Sequence, residues 1–406
     1  MFLELKSQAD VVRQFFYNRM TALFIWGILG ELYSVVLFVL SGSLTLVFLD
    51  KLVIACATMV GITVANVLLR KKGYGVVWVY GRYLRTVLIF ISILIWPLLE
   101  QDPFTWFWVL SVMRGIDSGF YHTSSHYVAV KEMKSKQRSY IFQVSGSYET
   151  IMSVFLPLII GFLLDFVVGY RAFLIVAALL SFLSLFKTYQ NNTIPPKAPL
   201  LSKSFLNSLK NHPEWKRFLR IYFIDTLQDE LQSHFWKIAP FLILGSIFGY
   251  GVFVSGVALI AAIVVYVRRH VELKGNLRLG YYLHSIRVAA TLGLVASWQA
   301  PALIGRAVIE KGAQTIEKPI DDDLDISLRE AVLGSDVQRN TLQLNYLLEV
   351  IKFSTRLVGL GFFIGLIHIL DNSELFLRTV WAIVTFGGLA TYWLQVKLWK
   401  TIQPAN

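Results

Sequence analysis

The stretch LTLVFLDKLVIACATMVGITVANVLL, residues 44–69, decides the fold. Roughly 20 apolar residues, rising about 1.5 Å each, carry a helix across the hydrocarbon of a bilayer. These 26 residues exceed that length. Lys51 stands near one end of the run, and the single Cys56 lies inside it. A lone cysteine forms no internal disulfide, and its apolar setting speaks against a redox or zinc role.

Comparable stretches recur outward from this one along all 406 residues. They predict spans at 20–40, 44–69, 83–99, 104–130, 140–165 and 170–186, then at 218–244, 248–267, 279–297, 301–323, 342–370 and 375–396. Composition agrees. Hydrophobic residues make up 55% of the chain and charged ones 16%, with a mean hydropathy of +0.58. A soluble domain carries about 25% charge. Disorder, collagen, coiled coil and a secreted disulfide scaffold are excluded. Residues 1–19 mix Glu4, Lys6, Asp10, Arg13 and Arg19 with apolar side chains. They read as a surface segment rather than a cleavable signal peptide.

The net charge of +12 is explained by orientation in a membrane rather than by nucleic acid. Basic residues collect in alternate loops: Arg70, Lys71, Lys72 and Arg82; Lys131, Lys134, Lys136 and Arg138; Lys210, Lys216 and Arg217; Arg268, Arg269, Lys274 and Arg278; Arg329 and Arg339. The opposite loops are short and carry Glu100 and Asp102, or Asp371 and Glu374. Lysine and arginine mark the cytoplasmic side, so both termini and the central loop are expected there, with an even number of spans. Twelve fits best.

An internal repeat supports that number. Gly81-Arg82-Tyr83-Leu84-Arg85-Thr86 is echoed 199 residues later by Gly280-Tyr281-Tyr282-Leu283-His284-Ser285. Gln137-Arg138 is echoed after 201 residues by Gln338-Arg339, and Gly115 after 197 by Gly312. The polar, proline-rich stretch 187–217 lies near the midpoint. The expected organisation is a six-helix bundle over 1–186, a cytoplasmic linker over 187–217 and a second bundle over 218–406. Repeated halves are typical of transporters, whose sites lie near the midplane between them.

The sequence also resembles the major facilitator superfamily. The likeness rests on Arg114-Gly115-Ile116-Asp117-Ser118-Gly119 in the fourth span. It continues from Gln137-Arg138 through Gly146 and Pro157 to Asp165, and in Gly169-Tyr170-Arg171-Ala172-Phe173 opening the sixth. The loop Leu69-Arg70-Lys71-Lys72-Gly73 keeps the family's charge and glycine but lacks its aspartate; Arg268-Arg269-His270 to Gly275 is a weaker second copy. The resemblance implies an all-α membrane protein of two pseudo-symmetric six-helix bundles. It also implies transport of small organic solutes, commonly driven by protons, by a functional monomer in a bacterial-type cytoplasmic or plasma membrane.

Ionisable residues inside a span cost about 2.5–3.5 kcal/mol each at the helix centre, so each needs a partner or a task. Glu31 has no basic residue within a helical turn. It reads as a proton site or as a structural carboxylate. In the seventh span, Asp225, Gln228, Asp229 and Gln232 share one face, and Glu230, His234 and Lys237 share another. A wet cavity wall and a salt-bridge ladder are both consistent with that pattern. Arg114, Asp117, Tyr121 and Ser125 form a stripe beside His122 and His126. Arg114 either pairs with Asp117 three residues on, or faces Glu149. The two histidines lack the carboxylate of a zinc helix, so no metal is assigned.

Arg306, Glu310 and Gln314 line the tenth span, and Glu349, Lys352 and Arg356 share a face of the eleventh. Asp321, Asp322 and Asp323 read as a cytoplasmic mouth or a solvated loop. Arg70, Arg138, Pro157, Arg269, Pro319 and Arg339 are expected gating positions, Pro319 because it removes a backbone donor. Trp26, Tyr33, Phe235 and Trp236 are cavity candidates by proximity. No phosphate-binding loop or nucleophile set is present, so neither an enzyme nor a bound cofactor is expected. The expected function is secondary active transport of a small organic solute, polar, zwitterionic or amphiphilic, with membrane lipid and protons as the other partners. Glu31, Asp117, Asp225 and Asp229 are the proton candidates, Arg114 and Arg306 their counter-ions. The rivals are a transport-inactive scaffold or sensor and a membrane-embedded lipid-modifying enzyme.

Overall fold

Gly73 sets the first tight joint of the bundle. Its φ of 85° lies in the region that favours glycine, and its amide caps the helix that precedes it by donating to the Leu69 carbonyl. A new helix starts at once at Tyr74. The expected loop up to residue 82 is therefore absent. Tyr74, Val77 and Trp78 are buried, and so is Arg82, which belongs to the helix and not to a basic loop. Apolar packing of this first stretch outweighs the charge that marked it as loop.

The computed structural model describes residues 10–26, 33–127, 148, 151–164, 170–185, 201–210, 213–268, 277–314, 316, 337–370 and 373–402. All regular elements among them are α-helices. In chain order they are α1 (Asp10–Trp26), α2 (Tyr33–Ser41), α3 (Leu44–Lys72), α4 (Tyr74–Gln101), α5 (Pro103–Tyr127), α6 (Ile151–Leu164) and α7 (Tyr170–Leu185). There follow α8 (Lys203–Lys210), α9 (Pro213–Leu244), α10 (Ile247–Arg268), α11 (Leu277–Ser297), α12 (300–314), α13 (Val337–Leu370) and α14 (Ser373–Ile402). Parts of the expected first, fourth, fifth, sixth and tenth spans lie outside the described residues. Among the described residues, five helices are both long and apolar enough to cross a membrane, within α3, α4, α10, α13 and α14. Their outward faces carry large apolar side chains such as Leu94, Ile263 and Ile369, as lipid-facing helices do.

The chain divides into two compact units, residues 1–198 with 246–255, and residues 199–245 with 256–406. In the first unit α3 and α5 are in register along their length and run parallel. Asp50 meets Ser111, Ala57 meets Gly115, Gly61 and Ile62 meet Gly119, and Asn66 meets Thr123. Small residues permit this approach. A Cβ on Gly119 would lie 2.5 Å from the Ile62 nitrogen, and one on Gly115 2.5 Å from the Ala57 Cβ. Such small-xxx-small pairing is how helices associate where lipid provides no hydrophobic drive. Asp102 joins α4 to α5: the Thr105 hydroxyl and then the Thr105 amide donate to it, holding its carboxyl below the usual carboxylate range. With Pro103 at the first helical position, it starts α5 as an N-cap.

In the second unit the stretch expected as linker contains α8 and the first turn of α9. Ser202 caps α8 through its hydroxyl, and its amide donates to Gln343 at 2.7 Å. Phe205 and Leu209, four apart on α8, are buried in a core with Trp215, Phe218, Leu344, Leu348, Tyr392 and Val396. Lys203 and Lys210 stay exposed. The short helix is thus tied to α9, α13 and α14.

The close approach of α3 and α5 predicts a sharp contrast. Gly119→Val should cost about 1–3 kcal/mol or more through overpacking against backbone that cannot move aside. Gly293→Val, at a position where a Cβ meets nothing within 4 Å, should be near neutral by comparison. Thermal unfolding of the purified proteins in detergent checks the order.

Candidate functional site: buried ion pairs in each unit

Three charged nodes lie inside the helical units. In the first, Arg85 of α4 faces Asp117 of α5, its Nε 3.1 Å from each carboxylate oxygen. Both residues are buried, and the guanidinium also lies 5.4 Å from the Tyr121 ring centre. One turn from Arg85 towards the start of α4, Arg82 is buried as well, and Thr86 and Ser181 of α7 are hydrogen-bonded at 2.8 Å.

The second node sits nearer the joint between α4 and α5. Asp50 accepts from the Ser111 hydroxyl at 2.6 Å, and Lys51 and Arg114 approach it at 3.4 and 3.5 Å. Arg114 lies 4.4 Å above the Tyr33 ring. Trp96 of α4 stacks on Tyr170 of α7 and donates to Glu100.

The third node belongs to the second unit. Glu310 of α12 accepts from Arg287 of α11 at 2.7 Å, from Arg306 at 3.3 Å and from Gln314 at 2.8 Å. The Arg306 Nε donates to Thr291 at 2.9 Å, and its guanidinium lies 4.3 Å over the Trp381 ring of α14. Counting about 1.5 Å per residue from the joint between α11 and α12, Arg287 and Glu310 each sit about 15 Å deep. That is half of the roughly 30 Å hydrocarbon thickness.

Opposite charges this close attract by about 4 kcal/mol at an effective dielectric of about 20, and stripping them of water costs several kcal/mol each. Net stabilisation is small, so the value of these pairs is positional. They fix α4 against α5 and α11 against α12.

The expected residues are distributed among these nodes. Arg114 and Asp117 do not pair with each other: they stand three apart, but each reaches a different helix, Asp50 on α3 and Arg85 on α4. Tyr121 and His122 are in ring contact beside the first node. Arg306 and Glu310 do pair at i, i+4, and Gln314 turns to Glu310. Glu349 holds Lys352 at 3.1 Å. Asp225 is half-buried on α9, whose side chains at Gln228, Asp229 and His234 lie outside the described residues. Arg70 ends α3, and Pro157 is buried in α6. Glu31, Arg138, Glu149, Arg269, Pro319 and the Arg339 side chain lie outside the described residues, as do the three aspartates 321–323.

Sequence reasoning passed over Asp50, Arg85, Arg287, Thr291 and Trp381. The available signal was their charge or polarity within apolar spans. Arg85 stood in the repeated stretch Gly81–Thr86 without a role of its own, Arg287 lay in no motif, and Asp50 stood beside Lys51 near a helix end.

No protein-family model and no curated protein matches the sequence. Solved structures do. The nucleoside transporter NupG superposes with a TM-score of 0.66 over 96% of this chain and 99% of that one, at 12% identity. A bacterial homologue of the iron transporter ferroportin, in an inward-facing state, gives 0.61 over 97% and 99%, at 13% identity. The chain has the major facilitator fold.

Removing one partner of a buried pair should cost about 3–5 kcal/mol, because the other charge is stranded. Glu310→Gln takes a carboxylate from two guanidiniums and Asp117→Asn from one, so the former should lower the melting temperature more. The double variant Arg85→Met with Asp117→Leu should recover most of the loss, since an apolar pair of similar volume is well tolerated there. Melting temperatures of the three variants decide it.

Proposed function

We propose that the chain is a secondary active transporter that carries a small organic solute across the membrane by alternating access, coupled to protons. The observation that carries this reading is a dry carboxylate at depth in each unit, each held by an arginine from the preceding helix, in a fold shared end to end with two transporters. Asp117 is the better coupling candidate of the two. Protonating it releases one guanidinium, whereas protonating Glu310 leaves two buried side by side. A released Arg85 then swings to a new partner, which gives the unit two discrete arrangements for a proton to choose between. Glu31, Asp225 and Asp229 remain further proton candidates on the same reasoning from sequence.

Two transporters of different cargo share this fold, so the fold itself does not select the solute. The alternative class, a scaffold or sensor without transport, predicts the same braces and no flux.

Purified protein in liposomes separates the readings. With a pH gradient imposed, a radiolabelled mixture of polar metabolites should accumulate above the level of empty liposomes. The Arg85→Met, Asp117→Leu protein, whose brace is replaced by an apolar contact, should keep its fold and lose the gradient-driven part of uptake. Unaltered pH-gradient drive in that variant removes Asp117 from coupling; no uptake under any gradient or solute favours the scaffold.

A further inference from the structure

We infer that Trp298, at the joint between α11 and α12, is a positioning residue for the buried Glu310 node. The inference deepens the transporter reading and rests on it for its meaning in transport. Its starting point is a backbone. Trp298 has a φ of 41°, the one positive φ of a non-glycine residue among the described residues. Its amide donates to the Leu294 carbonyl at 2.7 Å and so closes α11. Three other helix ends close in the same way. Gly42, Gly73 and Gly245 have φ of 63°, 85° and 73°, and their amides donate to the carbonyls of Phe38, Leu69 and Phe241. A left-handed cap suits glycine, which has no Cβ to strain it. The chain uses glycine at three such caps and its bulkiest kind of side chain at the fourth.

Strain retained at one position points to what its side chain does. The Trp298 ring stands edge to face with Trp381 of α14, their centres 6.0 Å apart at 78°. Trp381 is fully buried, and the Arg306 guanidinium lies 4.3 Å over its ring. Arg306 in turn donates to Glu310 at 3.3 Å and to Thr291 at 2.9 Å. Thr385, one turn beyond Trp381 on α14, reaches the same Thr291 hydroxyl at 3.4 Å. α14 thus meets the node at two points, and one of them is a ring held from the joint by Trp298. Aromatic pairs favour an edge contact and cations a ring face, so the Trp298 indole fixes the plane on which Arg306 rests.

Trp298 also meets Arg378. That guanidinium lies 5.4 Å from the Trp298 ring centre and is ion-paired with Glu374, whose side chain is 52% exposed. One continuous series therefore leads from a half-exposed carboxylate at the start of α14 to a dry one inside the unit, through Arg378, Trp298, Trp381 and Arg306. Glycine at this joint would relieve the backbone and break the series at its centre.

The full-length protein in detergent tests this without any flux. The chain has 11 tryptophans, so it is labelled with fluorotryptophan, and the fluorine NMR signals of Trp298 and Trp381 are identified by their loss in Trp298→Phe and Trp381→Phe. Glu310→Gln should shift the Trp381 signal and, through it, the Trp298 signal by more than a line width. In a Trp381→Leu background the same change should leave the Trp298 signal in place. A tryptophan that merely fills space at the joint does not follow Glu310. Thr291→Val, which removes one bond of Arg306, takes the place of Glu310→Gln should that protein not fold.

Melting temperatures complete the test. Trp298→Gly should melt above Trp298→Ala, since both lack the ring and only alanine keeps the strain. The loss caused by Trp298→Ala should be smaller in the Glu310→Gln background than in the wild type, because members of one network do not add. An unmoved Trp298 signal, an equal Trp298→Ala loss in both backgrounds, or Trp298→Gly melting no higher than Trp298→Ala overturns the inference. The expected shifts in a protein that moves nothing in liposomes uphold it and discard the transport reading instead.

Discussion

A charge inside a helical bundle surrounded by lipid has no water to fall back on, and the arrangement of both units follows from that. Arg85, Asp117, Arg306 and Glu310 are all almost fully dry, and each has its opposite charge within 3.3 Å. The partner does not have to come from the same helix. In the first unit both charged residues of α5 draw their counter-charges from other helices, Arg114 from α3 and Asp117 from α4. The pairs therefore act as cross-braces, and the helix that carries two of them is held from two sides.

Braces of this kind work only if the backbones are already close. Gly115 and Gly119 let α5 lie against α3 with no side chain between, which brings Ser111 and Arg114 within reach of Asp50. Steric and electrostatic requirements thus fall on a single six-residue stretch. Gly115 and Gly119 contribute contact, and Arg114 and Asp117 contribute charge to two neighbouring helices. The sequence Arg114-Gly115-Ile116-Asp117-Ser118-Gly119 is dense because several demands converge on it.

That density explains what could be read in advance. Long apolar runs state their own length requirement, so α10 was legible to within one residue at each end and α3 to within three. By contrast, α13 starts five residues earlier and α14 ends six residues later than their apolar runs. The helix start at Tyr74 was hidden because Arg82 looked like a loop cation, and only the packing of Trp78 and its neighbours shows that it is interior. The i, i+4 pair of Arg306 and Glu310 was visible because helical spacing puts it there. The partners of Arg114 and Asp117 were not, since Asp50 and Arg85 are 64 and 32 residues away and only the helix packing brings them in. Pairing across helices leaves no local trace, and a residue such as Arg287, lone in an otherwise apolar span, gives no hint of what it meets.

The two units also show which part of an internal repeat has physical content. Gly115 and Gly312 match by sequence offset, yet a Cβ on Gly312 meets nothing among the described residues while one on Gly115 collides. The steric half of the repeat is not shared. The electrostatic half is. In each unit an arginine of one helix grips a carboxylate of the next, Arg85 on Asp117 and Arg287 on Glu310. In each, the arginine that precedes that carboxylate lies under an aromatic ring, Arg114 under Tyr33 and Arg306 under Trp381. They differ in how far the second arginine is committed. Arg306 bonds Glu310 and Thr291, whereas Arg114 has one long bond to a carboxylate it shares with Lys51. The same wiring thus serves both units, with the second arginine paired to a carboxylate of its own helix in one and to that of a neighbouring helix in the other.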